Sequence, residues 1–318
     1  MKGQFMQSNL QIIFNLSEIG AGTRGASLGP QAIAAAARKK ESSFFGEHRI
    51  SILPILSQTL DRPTPYPFAK RIDGMLEVYQ AVEDEVSSAL NSGKFPFIIA
   101  GDHCSAGGSI AGIKKAFPDK RLGVLWVDAH ADLHTPYTTP SGNMHGMPLA
   151  TALGLDNKEC QRNEVDEDTV KMWNHLKSSA IQAEDLVFVA VRDTEEEEDA
   201  LMSRHNIRNY QVDEVRELGV AGLVEKLKNH FADCDMLYIS FDVDSMDPEL
   251  TSHGTGTPVP HGLTPEEAKE LLKACIQFPN IVAFEVVEVN PCLDEKQNKM
   301  AEVTFDIIEE LVATIENK

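Results

Sequence analysis

Two apolar segments of the chain each end abruptly in carboxylates. Residues 122–132 read LGVLWVDAHAD, and residues 237–244 read LYISFDVD. Each apolar run predicts a buried strand, and alternate side chains of an extended strand share a face. The polar side chains expected to converge in this way are Asp128, His130, Asp132, Asp242 and Asp244. Buried carboxylates carry a large desolvation cost unless a cation offsets it, so these oxygen and nitrogen ligands predict a site for hard or borderline divalent metal ions, two rather than one.

The composition is that of an acidic protein with ample material for a packed core. The 318 residues are 42% hydrophobic and carry a formal net charge of −20. This charge argues against nucleic acid or an anionic membrane as a partner, and it is compatible with a cationic substrate. The N-terminus (MKGQFMQSNL) lacks the apolar core of a signal peptide, and no apolar stretch reaches the ~18 residues of a membrane span. Because the five cysteines are scattered, with no Cys-x-x-Cys pair, we expect reduced thiols and a cytoplasmic protein.

Strand and helix patterns alternate along the chain. Apolar segments predict strands at 10–15, 50–55, 96–100, 122–128, 186–191, 235–242 and 281–289. Strands that are apolar throughout, with helices between them, indicate a mostly parallel sheet covered on both faces. We expect one domain over residues 1–318, in which the polar stretch 156–180 is an insertion or a long surface connection.

Four helices have clear signals. The strongest is the 3.6-residue apolar periodicity over 70–91. A second follows Gly29-Pro30, and a third opens at Thr264-Pro265-Glu266-Glu267 with a capping hydroxyl and acids in its first turn. A fourth closes the chain from about 296 to 316.

Four predicted strands end in groups that bind cations. His103 follows FPFIIAGD, Asp128 and Asp242 end the two acidic segments, and Glu288 lies in the run FEVVEVNP. Ligands of open α/β sheets bind beyond the carboxyl ends of the strands. A lone acid at a strand end is more often a helix cap or turn former, but five such groups at two-residue spacing favour a metal site at this edge of the sheet.

The order of these motifs resembles the arginase family, the ureohydrolases. The matching segments are AGDHCSAGG (100–108), VDAHADLHTP (127–136), SGNMHGMP (141–148), FDVDSMDP (241–248), GTGTP (254–258) and EVNP (288–291). The DAHAD and DVDSMDP patterns in this order are highly specific. The resemblance implies a three-layer α/β/α sandwich around a mostly parallel sheet, and a homotrimer or homohexamer.

The resemblance also implies two manganese ions per subunit. One ion would be held by His103, Asp128, Asp132 and Asp242, and the other by Asp128, His130, Asp242 and Asp244. The ions would lower the pKa of a shared water toward neutrality and so provide a hydroxide that attacks the planar carbon of a guanidinium group. Within this scheme Asp132 belongs to both the ligand set and the catalytic set. His145 matches the family's proton-shuttle histidine, and Glu288 matches the glutamate that accepts hydrogen bonds from the guanidinium.

Substrate choice depends on a smaller set of residues. Ser141 and Asn143 lie in the SGN segment that holds the substrate's α-carboxylate in arginases, and Thr257 lies in the GTGTP segment. His134 stands where arginases generally have Asn, and a histidine there can still donate to the α-carboxylate. Glu195 stands where arginases generally have Asp for the α-amino group, and a glutamate can still accept from an ammonium. These matches favour L-arginine, cleaved to ornithine and urea. The alternative is a related ureohydrolase acting on formimidoylglutamate, agmatine or another guanidino compound.

Other interpretations remain open at several positions. Glu195 could be an ordinary helix-terminus acid, with Thr194 as the capping residue. His253 and His261 are near the motifs in sequence, but loop histidines mostly face solvent. Single-zinc deacetylases share the general fold and use an Asp-x-His and a later Asp, but they do not need a second-metal set. A metal-bound regulatory or structural subunit is the non-enzymatic alternative, and the complete ligand set argues against it.

Overall fold

A computed structural model describes residues 9–317 of the chain. Within this range eight strands form one sheet with the order β2-β1-β3-β8-β7-β4-β5-β6, and every neighbouring pair is parallel. The strands are β1 Leu10–Asn15, β2 Ile50–Ile52, β3 Phe95–Ala100, β4 Leu122–Val127, β5 Leu186–Val189, β6 Arg208–Tyr210, β7 Met236–Asp242 and β8 Ile281–Val287. Residues 1–8, on which the expectation about a signal peptide partly rests, and residue 318 lie outside the described range.

Ten α-helices cover the two faces of this sheet in the described part of the chain. They are α1 Gly29–Lys39, α2 Phe44–Glu47, α3 Ile72–Asn91, α4 Ala106–Ala116, α5 Pro148–Leu153, α6 Glu167–Leu176, α7 Glu196–His205, α8 Val212–His230, α9 Pro265–Cys275 and α10 Lys299–Glu316. Alternate residues of the strands enter two separate cores, which on β4 means Leu125 in one core and Trp126 in the other. The predicted three-layer α/β/α sandwich around a parallel sheet is confirmed. None of these helices has the length and apolar character needed to cross a membrane.

The two cores correspond to the two helical layers. One face of the sheet packs against α1, α2, α8, α9 and α10, through residues such as Ile33, Leu223 and Ile308. The other face packs against α3 to α7, through residues such as Val82 and Trp173. Because both faces are covered, the central strands are apolar throughout, and this is the pattern from which the sequence predicts a parallel sheet.

The predicted capping signal of α9 is present. Oγ1 of Thr264 accepts a hydrogen bond from the Glu267 backbone at 3.0 Å, and Oε2 of Glu267 accepts one from the Thr264 backbone at 2.8 Å. Pro265 occupies the first turn, where its missing N–H costs nothing. Each end of this reciprocal arrangement satisfies a backbone donor that the helix itself leaves unpaired.

Some boundaries differ from the expected ones. The strand expected over 50–55 ends at Ile52, and the helix expected from 296 begins at Lys299. The stretch 156–180 contains α6, whose Trp173 is fully buried, so it is a packed part of one helical layer and not only a surface connection. Strand β6 is a three-residue edge strand that the sequence pattern did not indicate.

The register of the central strands positions the site. Val127, the last residue of β4, lies opposite Phe241 on β7, and Asp242 lies opposite Val287 on β8. Asp128 and Glu288 each lie one residue beyond the end of a strand, β4 and β8 respectively. Both therefore emerge beside Asp242 at the carboxyl edge. Strands β3, β8, β7 and β4 are the four adjacent strands at the centre of the sheet.

Candidate metal centre and active site

Loops beyond the strand ends bring most of the candidate ligand side chains together. The expected alternation of side chains along a strand accounts for few of their positions. Strand β4 ends at Val127, before Asp128, and His130 makes an isolated parallel bridge to Asp193. Asp132 has a φ of 52°, a left-handed conformation that L residues adopt only when the surroundings impose it. Asp244 lies in the short 3-10 helix Val243–Ser245 beyond β7. The predicted residues do lie close together, but loop conformations and not strand alternation bring most of them there.

The first cluster is built around the imidazole of His103. Its Nδ1 lies 3.0 Å from Oδ2 of Asp128, 3.1 Å from Oδ2 of Asp242 and 3.3 Å from Oδ2 of Asp132. Its Nε2 lies 2.7 Å from Oγ of Ser240, and its ring stacks on Trp126 with centroids 3.9 Å apart. An Nε2–H that donates to Ser240 fixes the tautomer and leaves the Nδ1 lone pair directed at the carboxylates.

Unpartnered atoms show that this cluster fits a cation. Nδ1 of His103 and Oδ2 of Asp128 are buried and have no hydrogen-bond partner, although they lie only 3.0 Å apart. Lone pairs that face one another in this way repel unless a positive charge lies among them. The donor set of imidazole nitrogen and carboxylate oxygen suits a divalent metal ion such as manganese or zinc.

A second cluster shares Asp128 with the first. Nδ1 of His130 lies 3.0 Å from Oδ2 of Asp244 and 3.5 Å from Oδ1 of Asp128. The Asp244 carboxylate is held by the Ala129 backbone, which donates to Oδ1 at 3.2 Å, and by the Thr257 hydroxyl, which donates to Oδ2 at 3.1 Å. Two adjacent groups of ligands with a common carboxylate are thus present on this edge.

The electrostatics of the clusters favour a bound cation. Burial and the neighbouring carboxylates hold the pKa values of Asp132 and Asp242 well above the ordinary value of 3.8. Burial alone would lower the pKa of His103, but the adjacent Asp128 carboxylate raises it to about 9. Protons therefore accumulate at the site when no other positive charge is supplied. Metal ions bind the deprotonated ligands and take the place of these protons.

Glu288 and His145 form a polar pair next to the first cluster. Nδ1 of His145 lies 3.3 Å from Oε1 of Glu288, and the same oxygen accepts a hydrogen bond from the His103 backbone at 2.9 Å. Burial acts to lower the pKa of His145, but the hydrogen bond and charge of Glu288 raise it above 6.5. Glu288 has a φ of 69°, so its carboxylate is held by an unusual backbone conformation immediately after β8.

A third group lies at the outer end of the site. Nε2 of His134 is 2.9 Å from Oε2 of Glu195 and 3.6 Å from Oε2 of Glu198. Oε1 of Glu198 accepts from the Leu133 backbone at 3.0 Å, and Oε2 accepts from the Glu195 backbone at 3.2 Å. Burial and the hydrogen bond to Glu195 raise the pKa of Glu198 to about 8.

The start of helix α7 differs from the expected one. Its N-cap is Glu195, in a reciprocal capping box with Glu198, whereas the Thr194 hydroxyl donates to Asp199 at 2.7 Å. The expectation that Thr194 caps the helix is therefore wrong. Glu195 has the helix-terminus position that the sequence allowed, and it also faces the site.

A cavity of about 160 Å³ connects these groups. Its lining includes all the predicted site residues except Asp128: His103, His130, Asp132, His134, Ser141, Asn143, His145, Glu195, Asp242, Asp244, Thr257 and Glu288. Asp128 is fully buried beneath them. Sequence reasoning missed Glu198, Thr139, Pro140 and Gly146, which also line the cavity. His253 and His261 do not line it, and His253 instead pairs with Glu295.

A parallel sheet between two helical layers, with imidazole and carboxylate clusters at the ends of its central strands, defines an α/β/α protein with a buried site suited to metal ions. A sequence profile of the Arginase family matches residues 12–313. The chain belongs to this family of metal-dependent hydrolases, whose members act on small guanidino substrates.

Individual relatives cover nearly the whole chain. The arginase of Bacillus subtilis (strain 168) is 30% identical over 309 residues, which are 96% of this chain and 98% of the relative. The crystal structure of Entamoeba histolytica arginase in complex with L-ornithine matches with a TM-score of 0.80 and 25% identity, over 97% of this chain and 99% of that one. Formimidoylglutamase from Bacillus subtilis, at a TM-score of 0.72 and 21% identity over 99% of this chain and 89% of that one, shares the fold.

Proposed function

We propose that this chain is a binuclear manganese hydrolase that cleaves the guanidino group of L-arginine to ornithine and urea. The observation that carries the proposal is the pair of ligand groups around His103 and His130, which share Asp128 at the base of one cavity. A carboxylate common to two groups of ligands is the arrangement that two-metal hydrolases use.

The ligands would divide between two ions. One would be held by His103, Asp128, Asp132 and Asp242, and the other by Asp128, His130, Asp242 and Asp244. When bound, the ions supply a hydroxide at neutral pH as the nucleophile. Asp132, which lines the cavity beside the ligands, would accept a hydrogen bond from that nucleophile and orient it toward the substrate.

Glu288 and His145 would handle the substrate and the proton. A guanidinium is a planar cation with N–H donors in a fixed fork, and the buried Glu288 carboxylate is positioned to accept from it. His145 is the one histidine of the cavity lining that no ligand cluster includes. It would deliver a proton to the amine as the C–N bond breaks. Its pKa is raised above the ordinary histidine value, which favours the protonated imidazole that this role requires.

Arginine is favoured over its relatives by the outer end of the cavity. Ser141 and Asn143 provide polar donors for an α-carboxylate, and Glu195 provides an anion for the α-ammonium. The E. histolytica arginase binds L-ornithine, the amino-acid product of the proposed reaction, on a closely similar fold. Formimidoylglutamate is the second candidate, because formimidoylglutamase has the same fold.

Metal analysis and a urea assay together test this proposal. After manganese loading, we expect about two ions per chain by elemental analysis, and release of urea from arginine that stops on strong chelation. Formimidoylglutamate, agmatine and other guanidino acids should be poor substrates. One ion per chain with full activity would refute the binuclear site. Formimidoylglutamate yields formamide and no urea, so its turnover is followed as release of formamide or glutamate. Turnover confined to this compound would keep the chemistry and change the substrate. The homotrimer or homohexamer and the cytoplasmic location are proposals to be checked by light scattering and by fractionation.

A further inference from the structure

His134 is held at both ring nitrogens. It is only 7% exposed, with Nδ1 at 3.2 Å from Oγ1 of Thr138 and Nε2 at 2.9 Å from Oε2 of Glu195. A carboxylate only accepts hydrogen bonds, so Nε2 carries the proton that bonds to Glu195. Nδ1 then accepts from the Thr138 hydroxyl, and both polar atoms of the ring are used within the protein.

This arrangement makes His134 a poor partner for a carboxylate. A substrate carboxylate that bonded to Nε2 would have to displace Glu195 and then lie beside it, as a second negative charge. Like charges at such a distance repel strongly in a partly buried site. The same arrangement suits a cation, because the Glu195 carboxylate is fixed at the wall of the cavity and is half-exposed toward it.

Glu195 is fixed from two directions. It caps helix α7 in the reciprocal capping box with Glu198, and it accepts from His134. A third metal ion is a weaker occupant for this group, because both oxygens of Glu198 already accept backbone hydrogen bonds. An ammonium group needs only the Glu195 carboxylate.

We propose that His134 is a positioning residue for Glu195, which binds the ammonium group of the substrate, and that Ser141 and Asn143 alone bind its carboxylate. This inference rests on the proposed action of the site on guanidino amino acids. It assigns His134 a role different from the carboxylate contact that its place in the motif predicts. A change of His134 should therefore weaken the binding of substrates that carry this ammonium group.

Three substrates separate the two roles. Agmatine keeps the amine of arginine but lacks the carboxylate, and 5-guanidinopentanoate keeps the carboxylate but lacks the amine. His134→Ala and Glu195→Gln should each raise KM for arginine and agmatine on the order of tenfold, the loss of one charge-assisted hydrogen bond. Both should leave KM for 5-guanidinopentanoate and all kcat values nearly unchanged. Ser141→Ala should show the opposite pattern, with KM raised for arginine and 5-guanidinopentanoate only.

Further variants distinguish positioning from a general structural effect. His134→Gln retains an N–H donor of similar reach and should restore most of the affinity for arginine. His134→Ala combined with Glu195→Gln should be no worse than Glu195→Gln alone, because both changes remove one interaction. His175→Ala, a change to an exposed histidine on α6, should leave every constant unchanged. Metal content should stay constant in all variants.

Several outcomes would overturn the inference. In His134→Ala, a raised KM for 5-guanidinopentanoate with an unchanged KM for agmatine would make His134 a direct carboxylate donor. A third manganese ion per chain, lost in the same variant, would make the cluster a metal site. Both results leave the proposed function intact. Release of urea from none of the three compounds by the metal-loaded wild type would refute the proposed function and this inference with it.

Discussion

Glu288 links the two halves of the proposed chemistry at the scale of single residues. Its Oε1 accepts from the backbone of His103 and faces the imidazole of His145. Its Oε2 faces the loop at Gly256, where an added Cβ would lie 3.6 Å away. One oxygen is therefore committed to the protein, and the other is available to the cavity. Under the proposed function, a guanidinium would donate to this second oxygen.

The first prediction concerns His145. Replacement by alanine should lower kcat for arginine by roughly 10²–10⁴-fold, the usual contribution of a general acid or base. Manganese content should stay at the wild-type value, because His145 belongs to neither ligand cluster. Steady-state urea release and elemental analysis of the same preparation measure the two quantities.

A matched histidine variant controls for the loss of an imidazole as such. His253 is half-exposed and pairs with Glu295 away from the cavity, so His253→Ala should retain wild-type turnover. Near-normal kcat in His145→Ala would remove this residue from the mechanism. Loss of metal from His145→Ala would instead show that it supports the ligands.

The loop that carries Ser141 and Asn143 is the element on which substrate binding depends most. Gly142 lies between them with a φ of 75°, and its carbonyl accepts from the Lys70 backbone at 2.8 Å. A Cβ at Gly142 would lie 1.9 Å from the carbonyl oxygen of Pro67. Only glycine fits this conformation and this approach, so the loop is fixed against the segment before α3.

Gly142→Ala should therefore destabilise the protein and weaken substrate binding. The left-handed conformation alone costs an alanine roughly 1–2 kcal/mol, and relief of the contact must move Pro67 or the loop. We expect a lower free energy of unfolding and a higher KM for arginine, measured by urea denaturation and by steady-state kinetics. Gly46→Ala is the control, because Gly46 is an exposed residue on α2 outside the cavity lining, and an added Cβ there meets no atom within 4 Å. Equal stability of the two variants would contradict the argument.

A second element, the segment that follows β1, is held by a buried acid. Oε2 of Glu18 accepts from the backbones of Gly25 at 2.7 Å and Ser27 at 3.1 Å, and the side chain is 1% exposed. Burial alone would raise the pKa of Glu18, but the neighbouring Ser57 hydroxyl and the two backbone hydrogen bonds lower it below 4.5. A carboxyl whose folded pKa is depressed adds stability above its unfolded pKa, and this stability disappears as pH falls through the folded value.

Glu18→Gln should accordingly cost roughly 1–3 kcal/mol of unfolding free energy at pH 7, since the hydrogen bonds are to a charged group. The difference from wild type should shrink as pH falls below 4.5, the ordinary value from which this pKa is lowered. Urea denaturation at several pH values measures it. Glu217→Gln, a change to an exposed glutamate on α8, should show no such dependence. A Glu18→Gln deficit that stays constant with pH would contradict the assignment.

The elements also show what the sequence could and could not predict. The central strands were predictable because burial on both faces requires continuous apolar runs, as in β4 and β7. Strand β6 was not, because an edge strand reading RNY has no such requirement. Glu198 was not predictable either, since four consecutive glutamates look alike, and only the turn of α7 directs this one to the Leu133 backbone. The motifs predict the ligand residues, but the left-handed Asp132 and the 3-10 helix at Asp244, which bring these residues together, have no apolar pattern.

At the scale of the whole molecule, the site concentrates negative charge that the fold does not neutralise. The chain carries a formal net charge of −20, and four of its carboxylates converge at the carboxyl edge of the central strands. The imidazoles of His103 and His130 are the nearest cationic groups among the described contacts of this cluster. Folding without a metal ion must therefore bear repulsion that a bound cation removes.

The stability of the folded protein should consequently depend on the metal. Ligands that bind only the folded state add about 2.7 kcal/mol at one hundred times their Kd, and two ions at such concentrations should add more. For a chain of this size, chelation should lower Tm by roughly 5–10 °C.

Asp128→Ala removes the shared carboxylate and should bind neither ion, so its Tm should not respond to chelator or to added manganese. Asp193→Ala is the matched control, because Asp193 is 65% exposed and lies 3.6 Å from Nε2 of His130, outside both ligand clusters. It should keep two ions and the wild-type response. Calorimetry with and without chelator, together with elemental analysis, decides the matter. Two ions retained by Asp128→Ala would show that the clusters are not joined through Asp128, and a wild-type Tm indifferent to chelation would contradict metal-dependent stability.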